Sequence, residues 1–230
     1  LGYKEIIEFE DYYGKYKRQD IAKAVVNKPI EATWKGTQWV YNPDVPKEED
    51  PLFIAWKKMY RDLKLKQAFI RLEKLAALGK YGVLVMGFND IKTKEDWREP
   101  LRTGDGLKLL YVSPYAENNA KILEWDNNTA SPRYGKPTVY DLNYNSDSGG
   151  SITLHIHHTR IIHVPGECLT SDIEGTPVLE VVYNRLMDLE KVVGGSGEMF
   201  WRGARPGIGA EVDKDHKSDS GLRDRMEDQM

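Results

Sequence analysis

Toward the end of the chain, Val178, Val182, Leu186, Leu189, Val193, Gly197 and Phe200 follow one another at steps of three or four. Such spacing puts all of them on one face of a single long helix, because side chains three and four apart stack on the same side. Thr176 and Pro177 stand where a helix would start, as a capping hydroxyl followed by a proline tolerated at the first helical position. Asn184, Arg185, Asp188 and Lys191 fall mainly off the stripe. Residues 194–197 read Gly-Gly-Ser-Gly, which weakens an isolated helix and suits either a bend or the close approach of another backbone. Past Arg202 large apolar residues become few, and the tail is not expected to pack alone.

The rest of the chain divides at Gly79. Before it, Phe9, Tyr13, Tyr16, Ile21, Ala24, Val25 and Ala32 recur at roughly helical spacing, with an interruption near Gly14, and predict one or two helices over 9–34. Residues 35–50 carry turn and loop signals. Asp50 followed by Pro51 marks a second helical start, continued by Phe53, Trp56, Tyr60, Leu63, Phe69, Leu72 and Leu75, with a break near Leu63 and a stop at Gly79. The period then changes. Residues 81–88, YGVLVMGF, form an apolar run of strand length and predict a buried strand. Further strands are expected over 107–112, 120–125, 138–142, 151–157 and 160–164, separated by Pro, Gly, Asn and Ser clusters. The class is therefore α+β, with N-terminal helices, a mostly antiparallel sheet and a long helix last. There is no internal repeat.

Composition narrows the partners. With 40% hydrophobic residues among 230, one sizeable core or a core plus an extended arm can be buried. No apolar run approaches the roughly 18 to 20 residues needed to span a bilayer, and the first twenty residues lack the pattern of a signal peptide, so no membrane partner is expected. The first residue is Leu1, and further residues upstream are expected. A formal charge of −3, with cations scattered among anions, disfavours tight nucleic-acid binding while permitting a surface past which DNA slides. Cys168 is alone, which excludes an internal disulfide and a cysteine-rich zinc site; it is read as a buried small hydrophobe.

Several blocks, in order over about 200 residues, carry a family resemblance. They run from FEDYYGKYKRQDIAKAVVNKPIEATWKG through LEKLAALGKYGVLVMGF and YVSPYAENNAKILEWDNNTASPRYGKP to HHTRIIHVPGE and VVYNRLMDLEKVVGGSGEMFWRGARPGI. The sequence resembles the portal proteins of tailed bacteriophages, of the prophage-encoded type once classed as a domain of unknown function. The resemblance implies a wing-like domain over 1–175, a descending stem-like helix over 176–203 and, in the charged tail 204–230, the start of a clip region. It places the return helix, tunnel-facing loop and crown beyond this sequence. It also implies a non-enzymatic structural subunit without cofactors, in a homo-oligomeric ring, usually a dodecamer, at one capsid vertex of the virion, assembled in the bacterial host cytoplasm. There it would meet terminase, capsid and head-completion proteins, and double-stranded DNA passing without sequence specificity. On this reading Leu186, Leu189, Val193, Gly194 and Gly197 are packing positions between subunits or against the return helix. The alternative is a helix docked on its own domain.

Other chemistry is less well supported by the residues. LHIHHTRIIH holds His155, His157, His158 and His163, and imidazoles at alternating strand positions share a face that could bind a metal. No neighbouring carboxylate or cysteine completes a ligand set, so no metal is expected. Residues 157–161 also match half of a two-histidine phosphoesterase site, a reaction that needs a second such motif as acid or base. His216-Lys217-Ser218 is only a partial partner, which leaves a phosphoesterase or metal-dependent enzyme as the alternative function. No glycine-rich loop followed by Lys-Ser or Lys-Thr appears, so the chain is not an ATP-driven motor. Lys191, Arg202 and Arg205 are candidates for transient DNA contact, weighed against ordinary solvated cations.

Overall fold

The computed structural model describes residues 2–104, 106–145 and 150–203. Four helices come first: α1 (Phe9–Arg18), α2 (Asp20–Thr33), α3 (Pro51–Asp62) and α4 (Leu65–Leu78). The first pair separates at Gln19, whose backbone is extended, and not at Gly14, which lies inside α1. Asp50 starts α3 as expected. Its carboxylate accepts from Leu52 N at 2.9 Å and also from Asn42 N at 2.6 Å, closing the preceding loop onto the helix. Lys64, in the left-handed region, makes the expected break before α4.

Gly79 ends α4 in an extended conformation, without the left-handed turn that a glycine stop suggests. Room is tight there, since a Cβ would lie 3.0 Å from the Phe9 ring and 3.1 Å from the Glu117 carboxyl carbon, both side chains that would have to give way. The chain passes directly into β1 (Tyr81–Phe88), the middle strand of an antiparallel sheet ordered β2-β1-β6, with β2 at Leu109–Ala116 and β6 at Ile161–Pro165. A second antiparallel sheet joins β3 (Ala120–Trp125), β4 (Pro137–Asn145) and β5 (Ser151–His157). The strands thus keep the expected antiparallel character but divide between two sheets.

Alternation along β1 shows where the core sits. Tyr81, Val83 and Val85 join Ala120, Tyr140, Leu142 and Ile156 of the second sheet in one buried cluster, closed by Trp97 from a short 3-10 turn. Leu84 points the other way and packs with Ala68 and Leu72 of α4. Helix, first sheet and second sheet are therefore stacked layers, and β1 is covered on both faces, which is why its sequence is apolar without alternation. Each fully buried aliphatic side chain here contributes about 1.5–3 kcal/mol.

Among the described residues two charged side chains are buried, Asp50 at the start of α3 and Arg160. Arg160, 2% exposed, ends the 3-10 turn between β5 and β6. Its guanidinium pairs bidentately with Asp90 at 2.9 and 2.7 Å and donates through Nε to Glu99 O at 3.1 Å. That arrangement satisfies the charge and ties the segment after β1 to the β5–β6 corner. By contrast Cys168 is exposed, because it sits in the loop after β6 and not in a strand.

Gly82 is where α4 crosses β1. A Cβ there would lie 2.9 Å from Leu72 O and 3.1 Å from Ala76 N, both backbone atoms. Gly82→Ala is therefore expected to lower stability by about 1–3 kcal/mol in urea unfolding. Gly14→Ala, in open space on α1, is expected to raise it by about 0.5–1 kcal/mol. Equal effects at the two positions would contradict this packing.

Candidate functional site

The last helix, α5 (Tyr183–Gly203), begins six residues after Pro177, so the Thr176-Pro177 signal does not start it. The intervening backbone is committed elsewhere. Thr176 N donates to Glu167 O at 2.8 Å, and Val178 N donates to Ala77 O at 2.9 Å. Lys80 O accepts from both Gly166 N, at 3.0 Å, and Gly175 N, at 2.9 Å. The loop from β6 to α5 consequently hangs by both arms on the α4–β1 junction. Gly166 and Gly175 make this possible, since a Cβ on Gly175 would come within 2.6 Å of the Gly166 carbonyl carbon.

His163 supports the same loop from below. Its Nε2 lies 2.8 Å from Ile173 O, which can only accept, so Nε2 carries the proton. Nδ1 is then left to accept from the Tyr140 hydroxyl at 3.0 Å, with the Tyr81 ring tilted against the imidazole at 4.7 Å between centroids. The imidazole is a structural bridge in its neutral form.

At the start of α5, Leu179, Tyr183 and Leu186 are buried. Tyr183 meets Tyr12 edge to face at 5.7 Å, Lys15 Nζ lies 5.7 Å from its ring centroid, and Gln19 Nε2 donates to Leu186 O at 3.3 Å. The chain divides into two units after Leu186. Of the five packing positions expected from sequence, Leu186 thus belongs to the first unit's own interior. Leu189, Val193, Gly194 and Gly197 do not join it: Leu189 is 39% and Val193 62% exposed, and a Cβ on either glycine would meet nothing within 4 Å.

From Leu189 to Gly203 every residue is exposed. Val192, Met199, Phe200 (80% exposed) and Trp201 add to the apolar surface. Val192, Met199 and Trp201 lie beside the strict stripe, so step-counting alone passed them over; the run Met199-Phe200-Trp201 was the available signal. At 100° per residue the apolar positions occupy more than half the circumference, while Lys191, Glu198 and Arg202 share the opposite face. Arg202 is paired with Glu198 at 2.7 Å. Arg205, the tail 204–230 and His216 lie outside the described residues.

The other histidines do not converge with His163. His155 on β5 sits 3.7 Å from Asp141 Oδ1, and His157 Nδ1 is 2.9 Å from Thr159 Oγ1 in the turn that follows. The His157 and His158 rings meet at a tilt, 4.3 Å between centroids. Among the described residues, no group of three or more His, Cys, Asp or Glu is placed to hold a metal ion.

Comparison with known proteins gives two findings. A family model described as phage portal protein matches residues 11–228. Two solved assemblies share the fold: the neck of a native GTA particle computed with C12 symmetry, at TM-score 0.53 and 14% identity over 98% of this chain, and the neck of an empty GTA particle computed with C6 symmetry, at TM-score 0.53 and 15% identity over 100%. This chain spans 55% and 56% of those two neck chains. No curated protein matches it.

The histidines predict how stability follows pH. Burial holds His163 and His157 below the ordinary imidazole value, and burial together with Arg133 and His157 pushes His158 down to about 4. As pH falls below about 6.5, the unfolded chain binds protons that the folded one refuses. Stability present at neutral pH is thus lost on descending through the folded values. The urea midpoint is expected to fall between about pH 6.5 and 4, and His163→Gln to make that dependence shallower. A pH-independent midpoint across this window would contradict the buried neutral bridge.

Proposed function

The chain belongs to the phage portal protein family, and from that premise we propose that it is a structural subunit of a ring at one capsid vertex, enclosing the conduit for DNA packaging and ejection. The observation that carries this reading is the exposed apolar surface of α5 from Leu189 to Trp201. A lone subunit gains nothing by holding those side chains in water. Covered by copies of the same helix, each would contribute about 1.5–3 kcal/mol. Closed rotational symmetry supplies such covering for every subunit at once.

In this reading residues before about 175 form the wing, 176–203 the stem with its helix beginning at Tyr183, and 204–230 the entry to the clip. The twelvefold symmetry of the native GTA neck supports a dodecamer. Leu189, Val193, Gly194 and Gly197 meet neighbouring helices or the return helix, the glycines allowing close backbone approach. Leu186 anchors the stem to its own domain. Lys191, Arg202 and Arg205 offer DNA transient, sequence-independent contacts, and the overall charge of −3 keeps such contacts weak enough for sliding. Terminase, capsid and head-completion proteins are the partners, and the ring resides in the virion after assembly in the host cytoplasm. Among the described residues no helix is long and apolar enough to cross a membrane.

Electron microscopy of the intact protein is expected to show rings with an axial hole wide enough for a DNA duplex. Leu189→Asp, at an exposed position, is expected to leave unfolding of the subunit within about 0.5 kcal/mol of the parent while abolishing ring formation. Normal rings from that variant would remove the helix from the interface, and monomers from the parent protein would remove the ring.

A further inference from the structure

Gln19 joins three helices. Its backbone is extended, its N–H closes α1 on Lys15 O at 2.9 Å, and its carbonyl opens α2 by accepting from Lys23 N at 3.1 Å. Both helices are fixed at that corner. Tyr12 and Ala22 are buried on either side of it, and the Tyr16 hydroxyl donates to Asn27 Oδ1 at 3.0 Å across the pair. From this point the Gln19 side chain reaches α5, where Nε2 donates to Leu186 O at 3.3 Å.

The bond differs in kind from the apolar contacts at the root of α5. Leu179, Tyr183 and Leu186 are held by burial, which has no preferred direction. A hydrogen bond to a main-chain carbonyl is directional, and this one ends on the backbone of the helix itself, at the last residue of the first unit. Stability explains it poorly. Gln19 Oε1 is buried and has no hydrogen-bond partner among the described residues. An acceptor left unpaired in the interior offsets what a single long bond through Nε2 contributes. An apolar side chain of similar length would fill the same space without that penalty.

We propose that Gln19 is a positioning residue, whose amide fixes the tilt of α5 at Leu186 so that the exposed part of the helix meets its neighbours at one angle in every subunit. The proposal rests on the ring reading above and names the contact within each subunit on which regular closure depends. Beyond Leu186 the helix runs about 25 Å at about 1.5 Å per residue, so a tilt of about 5° at its root moves the far end by about 2 Å. A shift of that size is enough to part side chains packed across a helix pair. In a closed ring the same error recurs at every contact and accumulates around the circle.

The test is Gln19→Met in the intact protein, read both as the urea midpoint of the dissociated subunit and as native mass spectrometry of assembled material. The midpoint is expected to stay level or rise. The parent is expected to give closed rings of one subunit number, and the variant open arcs with rings of several numbers, or no rings. Rings of the parent's subunit number from Gln19→Met would overturn the proposal. So would an assembly defect accompanied by a lowered midpoint, since lost stability would then account for it. Absence of rings in the parent protein would instead overturn the ring reading, and this proposal with it.

Discussion

Burial of β1 on both faces is the constraint from which the rest of the first unit follows. A strand covered on one side by α4 and on the other by a second sheet must be apolar throughout, and YGVLVMGF is. Covering it so closely requires α4 to approach its backbone, which Gly82 permits. The junction between α4 and β1 directly adjoins this packing. It is there, at Ala77 and Lys80, that the loop leading to α5 is hydrogen-bonded. The direction of α5 over its first turn is set by the same buried strand, through Gly166, Gly175 and the neutral His163 bridge.

A protein that invests this much order in the root of a helix, then leaves the remainder of that helix apolar and exposed, has the features of a component and not of a finished molecule. Its isolated surface is a poor guide to its working surface. The histidines make the converse point. Their density in sequence drew attention to them as a group, and the structure gives His163, His157, His158 and His155 separate local contacts: a bridge to Ile173, a turn contact to Thr159, a tilted ring pair and a neighbouring Asp141.

Much of the fold was legible because period and punctuation are local properties. Apolar steps located the helices, Asp50-Pro51 marked the start of α3, and β3 and β5 fall where the alternation and turn residues put them. What local pattern could not carry was long-range commitment. Thr176-Pro177 has the residues of a helix start, but Thr176 N bonds to Glu167 O and Val178 N, next along, to Ala77 O, far away along the chain. Arg160 opens an expected strand, 160–164, and nothing local shows that Asp90 and Glu99 O are brought around its guanidinium. Gly166 and Gly175 look like turn residues, whereas their role is to let two segments touch. The candidate site was half legible: the stripe identified the helix, and only the structure separated Leu186, buried at home, from Leu189 and Val193, which stand in solvent.

The central claim is that α5 beyond Leu186 is covered by copies of itself. Amide hydrogen exchange of the intact protein, compared between assembled rings and dissociated subunits, tests it most directly. Residues 189–203 are expected to exchange fast in the subunit, as exposed helical amides at a Gly-Gly-Ser-Gly stretch should, and to become strongly protected in the ring. Unchanged fast exchange there in verified rings would contradict the account, because it would mean the ring is built without this helix.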